Sequence, residues 1–541
     1  MFTDTLELKL TITTGGQSFE IPGGNIKTLR AALHQYGFTC EVSFLVSCEQ
    51  ATDELFSLFV KPDLMKAQLE ILPHYNPKNL TLEAMELLGL VMQKCILTEA
   101  TVEKINLEGN PILYRHYQVS FADPAFVLWR QHFPCDLMTD KTVKDLLDAH
   151  KGSEVSLSYD WDALDKQFAI ITLPLGAGLN KASFYDFVLW LVSSLDGVLT
   201  YDCNENTYKL SKVKAEDGQA ALLDKQDVAN LAIEFPETIR HSANLLNAYS
   251  EDPKNDPIAQ AQAASGVRLD FLGRFPVFAD FEDRKALETQ KLKVREHELH
   301  LTFGNFPLIP FRPGCLIKLA EQGWSQNIMS FGKEYRVRDI FLSAKSAEEE
   351  VTLDHNMTYA RYTIDMESRL ESKTEKWVSL PAFQPPMFPL RVEGKIKSEG
   401  GGANEKTYQI YQDQKTSLDQ YRVIIPLFAS QEVVVLFEPD FLMGHFYFPA
   451  YKNARVLVAL NFHSGWIERF LDWGAGARLP LDTQGDHILM GKGKDAKSQT
   501  SINHVYVDEK PVLNVKRTSE IDTQMIKLEE GRLVLETKEE E

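Results

Sequence analysis

Cysteine is scarce in this chain: six among 541 residues, Cys40, Cys48, Cys95, Cys135, Cys203 and Cys315, with no C-x-x-C pair. That scatter excludes a disulfide-stapled scaffold and fits buried free thiols made in a reducing compartment. Long apolar runs are missing as well. The richest, Phe187 to Leu195, is too short to span a bilayer and contains serines. Cations are outnumbered, 57 Lys and Arg against 77 Asp and Glu, for a formal net charge of −20. Proteins that bind nucleic acid neutralise phosphates with Lys and Arg, so this balance argues against that class. Met1 to Glu7 holds no basic stretch followed by an apolar core. No cleaved leader is expected, and synthesis in the cytoplasm follows.

Catalytic signatures are also lacking. His297-Glu298-Leu299-His300 has its histidines three apart, and in an alternating strand they point to opposite faces, which argues against a zinc-protease helix. Gly491-Lys492-Gly493-Lys494 lacks the upstream glycine and the Ser or Thr of a phosphate loop, and Gly176-Ala177-Gly178 breaks the dinucleotide pattern. No G-x-S-x-G elbow occurs. His487 and His504 flank the start of the last strands; a metal shared about an axis is one reading, polar residues on a strand surface the plainer one. No enzyme, cofactor or metal is expected.

What is present is β-structure. Leu6 to Ile12 alternates apolar and polar residues, as do Cys40 to Val46, Leu69 to Leu72 and Tyr114 to Phe121. Gly23-Gly24, Asn25, Leu29, Leu33 and Gly37 read as a short helix with its cap and stop. Glu83 to Leu97 is apolar and of either type. Residues 1–115 are thus expected to form a first β-barrel. Residues 116–235 read as a small α/β section. Its helices carry Val143, Leu146 and Leu147 after Asp140, and Phe187, Trp190 and Leu191 after a capping box at Ser183–Asp186. A hairpin runs through Val198–Tyr201 and Thr207–Leu210. Ser250 to Gly266 reads as an exposed loop. Residues 236–375 hold further strands, Glu298–Phe303, Cys315–Leu319, Tyr335–Val337 and Tyr359–Met366, as a second β section. Pro381, Pro385, Pro386 and Pro389 mark a linker. After it, 376–482 has the size and strand count of an OB-fold barrel.

The last stretch, 483–541, is a run of very short strands. Val505 and Val507, Leu513 and Val515, Ile526 and Leu528, and Leu533 and Leu535 are apolar pairs two apart, separated by polar turns. So few residues bury too little apolar surface to offset chain entropy unless something covers them. Three copies about a common axis would do so; a hairpin extension packed on the preceding barrel is the alternative.

Several stretches together resemble the VgrG-type spike of type VI secretion and the hub-plus-spike proteins of contractile phage tails and extracellular injection particles. They are Tyr117 to Trp129 with Thr142 to Leu147, Phe303-Gly304-Asn305 with Arg312 to Ile317, Pro449 to Phe462 with Gly465-Trp466-Ile467, and the terminal short strands. Ser183-Phe184-Tyr185-Asp186-Phe187 departs from the tyrosine-rich signature of type VI spikes. The resemblance implies a mainly β chain with an α/β insert, two hub β-barrels, an OB-fold barrel and a short C-terminal trimeric β-prism. It implies a structural baseplate hub and membrane-puncturing spike, a homotrimer that seats on an inner-tube protein, meets baseplate and wedge proteins, carries a PAAR-like tip protein or cargo, and touches a target membrane transiently. Such a particle would be delivered or released extracellularly. On that reading Val505, Val507, Leu513, Val515, Ile526, Leu528, Leu533 and Leu535 hold the trimer together. Leu533, Val534, Leu535 and Glu536 would meet the tip protein. A monomeric carbohydrate-binding adhesin using Trp466 and Trp473, or a secreted hydrolase, is the competing expectation.

Overall fold

The computed structural model describes residues 1–48, 53–75, 82–105, 111–348, 354–403, 407–412, 419–436, 451–471, 485–491, 499–519 and 521–539. They fall into two compact units. One comprises 1–135, 142–166 and 175–387; the other comprises 136–141, 167–174 and 388–541.

In the first unit, alternation of Leu6, Leu8, Leu10 and Ile12 puts one face of β1 (Phe2–Thr14) fully inside. With β2 (Gln17–Pro22), β3 (Ile26–His34), β4 (Gly37–Cys48), β5 (Lys66–Pro73), β6 (Met85–Ile105) and β7 (Pro111–Ala122), it builds most of a barrel. The stretch read as a helix is β3. Gly23–Asn25 makes a single 3-10 turn, and a bulge between Ile26 and Thr28 sets the parity so that Leu29, Ala31 and Leu33 all point inward. Helical and strand spacing both allow Leu29 and Leu33 to share a face; pairing with β4 decides for the strand. Of Glu83 to Leu97, the residues from Met85 onward also resolve as strand, within β6.

Residues 1–122 do not close this barrel. Two long strands from far along the chain do so, Glu334–Ser346 and Tyr359–Ser372, paired with each other. Asp339 to Lys345 lies beside β3, and Tyr359 to Ile364 lies beside β1. The other halves of the same two strands serve a second set. Glu334 to Arg336 pairs with Leu316–Leu319, and Glu367 to Leu370 pairs with Glu298–Phe303. The strand Val228–Glu234 flanks the latter and Ala221–Leu223 the former. A bulge between Val337 and Asp339 marks the changeover. Two β sections separate in sequence are therefore one continuous hydrogen-bonded sheet.

The α/β section carries the helices Val143–His150 and Phe184–Ser194, each opened by a capping box, with Thr142 rather than Asp140 as the first cap. Val198–Asp202 and Thr207–Ser211 form the expected hairpin. Between Ser242 and Lys291 lies a small three-stranded sheet with one helix. Its strand Lys254–Ile258 falls inside the stretch read as a loop.

Close approaches fix particular residues. The turn Asp354–Met357 lies over Gly24, whose N–H donates to the Met357 carbonyl at 2.8 Å. A Cβ on Gly24 would stand 1.7 Å from the Asp354 carbonyl oxygen. Gly24→Ala is expected to lower stability by about 1–3 kcal/mol through overpacking, read as a shift of the denaturation midpoint.

Asp123 ties β4 to the α/β section. Its carboxylate accepts from the Phe38 N–H at 3.0 Å, from the Phe126 N–H at 2.9 Å as a helix cap, and from the Tyr208 hydroxyl. Burial pushes this carboxyl up to about 6 despite those donors. The folded value lies above the unfolded one of about 3.9. The stability that protonation adds is full below the unfolded value and lost as pH rises through about 6. Lowering the pH from 7 to 5 is expected to stabilise the wild type relative to Asp123→Asn by roughly 1 kcal/mol. Denaturation series at the two pH values measure it.

In the second unit, Leu390–Lys397, Arg455–Leu460, Gly465–Phe470, Gln431–Leu436 and Asp419–Ile425 close into a five-stranded barrel through pairing of the first with the last. Val392, Ile396, Tyr421, Val423, Val433, Val456 and Val458 fill it. Gly394 has no room for a Cβ, which would meet Val423 at 2.3 Å. The segments 136–141 and 167–174 belong with this unit: the Thr172 N–H donates to the Phe462 carbonyl at 3.0 Å, and Phe168 stacks on His463.

Candidate assembly interface

The end of the described chain is one antiparallel sheet of five strands in sequence order: Asp486–Gly491, Gln499–Val507, Lys510–Thr518, Asp522–Glu529 and Arg532–Glu539. Tight turns set its register. Asp508 and Glu509 take φ of 49° and 62°, both left-handed, which makes the two-residue turn that matches strand twist. Gly531, at φ 72°, serves the last hairpin.

Residues directly opposite across an antiparallel pair share a face. The register therefore makes two apolar rows. One runs Ile488, Ile502, Val515, Ile526 and Leu535; the next runs His504, Leu513, Leu528 and Leu533. These side chains are uncovered: Leu535 is 71% exposed, Leu533 59% and Ile526 46%. A polar row of Thr500, Arg517, Gln524 and Thr537 bounds them, with Arg517 bonded to Asp522 at 3.2 Å. At the last hairpin, hydrogen bonds from Lys527 and Arg532 hold the Glu529 carboxyl below its usual range.

Six of the eight residues singled out in sequence, Leu513, Val515, Ile526, Leu528, Leu533 and Leu535, thus lie on one face. Val505 and Val507 do not: they lie opposite Val512 and Lys510, on the other side of the sheet. The reason is the turn. A two-residue hairpin pairs an odd-numbered residue with an even one, so Ile502 and His504 are the residues of their strand that join the apolar rows. Ile488 and Ile502 were missed, although the Asp508-Glu509 turn carried the signal for Ile502. Leu533, Val534, Leu535 and Glu536 all lie on the final strand, whose outer edge has no partner among the described residues, with Val534 and Glu536 facing away from the apolar rows.

The register also parts the two histidines. His504 is opposite Asp486 and His487 is opposite Asn503, so they face opposite sides. His297 bonds the Tyr335 hydroxyl at 2.9 Å, while His300 sits between Glu234 and Glu367. Trp466 is half-buried beside Ala459 in the five-stranded barrel. Trp473 lies outside the described residues.

A β-barrel sharing two strands with a second strand set, an α/β insert, a closed five-stranded barrel and a terminal sheet of short strands define a VgrG-like, mainly β class of fold. Solved structures agree along almost the whole chain. A chain of the lidless PdpA–VgrG complex superposes with a TM-score of 0.70 at 11% identity, covering 99% of each chain. A chain of the half-lidded Francisella PdpA–VgrG complex gives 0.70 at 12% identity over 98% of this chain and 88% of that one. The lidded Francisella form gives 0.69 at 10% identity over 99% and 80%. No protein-family model matches the sequence, and no curated protein matches it either.

Proposed function

We propose that three copies of this chain assemble into the hub and central spike of a contractile injection machine. The observation that carries this reading is the terminal sheet. It exposes two adjoining apolar rows that no described residue of its own chain covers, a surface suited to a core shared with further copies. Burying each half-exposed side chain contributes on the order of 1 kcal/mol, repeated over several residues and three chains. The fold likeness supports the same reading, since its neighbours are chains of PdpA–VgrG complexes. The role is mechanical and not enzymatic. The paired barrels form the ring that seats on an inner-tube protein and meets the baseplate. The terminal sheets form the rigid point, and their last strands, Arg532–Glu539, receive a tip protein or cargo before the point crosses a target membrane. Ending the chain at Gln484 tests the interface. The shortened protein is expected to sediment as single chains with its hub still folded; a shortened protein that remains trimeric places the contacts elsewhere.

A further inference from the structure

We propose that His132 and His150 form a binding site for a borderline divalent transition metal of the zinc or nickel class. His132 follows the turn Trp129–Gln131, and its carbonyl accepts the Phe184 N–H at 2.8 Å. His150 is the last residue of the helix Val143–His150. Nε2 of His132 and Nδ1 of His150 stand 3.3 Å apart. Two imidazole nitrogens on one tetrahedral ion, each about 2.0–2.1 Å from the metal, stand about 3.3–3.4 Å apart.

Packing holds both rings in place. The fully buried Phe184 lies 5.5 Å from one ring and 5.8 Å from the other, and its own helix starts at the Ser183–Asp186 capping box. The carbonyl end of the helix Val143–His150 favours a cation at this position. Both rings are only partly buried, which leaves a metal access to solvent. Among the described residues no third His, Cys, Asp or Glu completes a cluster. The pair supplies two ligands, and water fills the remaining positions. Imidazole donors select zinc, nickel or copper over magnesium and calcium. A bound ion would staple the segment after the turn Trp129–Gln131 to the end of the helix Val143–His150.

Isothermal titration of the full-length protein with zinc chloride, alongside thermal unfolding with and without zinc, tests the site. The wild type is expected to bind zinc at pH 7.5 and to unfold at a higher temperature in its presence. Both effects should fade on acidification to pH 5.5, as the rings take up protons. His150→Gln and His132→Ala should each weaken binding by about ten-fold or more, with magnesium silent throughout. His150→Gln, at a partly exposed helix end, serves as the fold-preserving variant. If zinc leaves the wild type unchanged, or if both variants bind it as the wild type does, the pair is a hydrogen bond and not a metal site.

Discussion

Ile526→Asp is expected to turn the proposed trimer into single chains at micromolar concentration, while Val507→Asp leaves it trimeric. Both positions are exposed in the isolated chain, at 46% and 52%, so exposure alone predicts no difference between them. Register separates them. Ile526 lies between Val515 and Leu535 in the apolar row, whereas Val507 is opposite Lys510 on the other face. In the assembly three carboxylates would enter one apolar centre without partners, each at a desolvation cost of several kcal/mol. On the outer face an aspartate stays in water next to a lysine. Size-exclusion with light scattering measures the outcome, and circular dichroism checks that each variant is folded. Dissociation by both variants, or by neither, would mean that the face has been chosen wrongly.

Glu371→Gln is expected to lower the stability of the barrel unit by about 3–5 kcal/mol, the largest effect in that unit. Glu371 is 1% exposed and accepts from Lys214 at 2.8 Å through each oxygen, from Arg336 at 3.2 Å and from Gln35 at 2.9 Å. Arg336 also donates to the carbonyls of Ala215 and Lys373. Removing the one carboxylate shared by two buried cations leaves both without a direct counter-charge. Lys214→Met should cost much less, because Arg336 still answers Glu371 and burial already lowers the proton affinity of Lys214. Chemical denaturation of the two variants reads the order. Equal losses would show that the network acts through packing and not through charge.

Much of the fold was legible because side-chain period reports local structure directly. Leu6 to Ile12 alternates and is a strand; Ser183 to Asp186 reads as a helix start and is one. Where the reading failed, a distant partner decided. Leu29 and Leu33 suit helix or strand alike until β4 and Asp339–Lys345 lie on either side. The shared pair of strands at 334–346 and 359–372 could not be seen in sequence, since each is an ordinary alternating run and only its neighbours show that it serves two sets of strands. In the terminal sheet, apolar pairs marked the strands correctly, but which of them share a face depended on turn length. The two residues Asp508 and Glu509 put Val505 and Val507 on the face opposite the apolar rows and bring Ile502 and His504 into those rows. The buried ion network at Glu371 left no trace in sequence, because its members come from residues 35, 214, 336 and 371.

The native molar mass of the full-length chain, measured by light scattering at micromolar concentration, tests the central claim most directly. A trimeric hub and spike predicts three times the 61.4 kDa of one chain. A mass of 61.4 kDa would contradict it, leaving the apolar rows of the terminal sheet to some other partner.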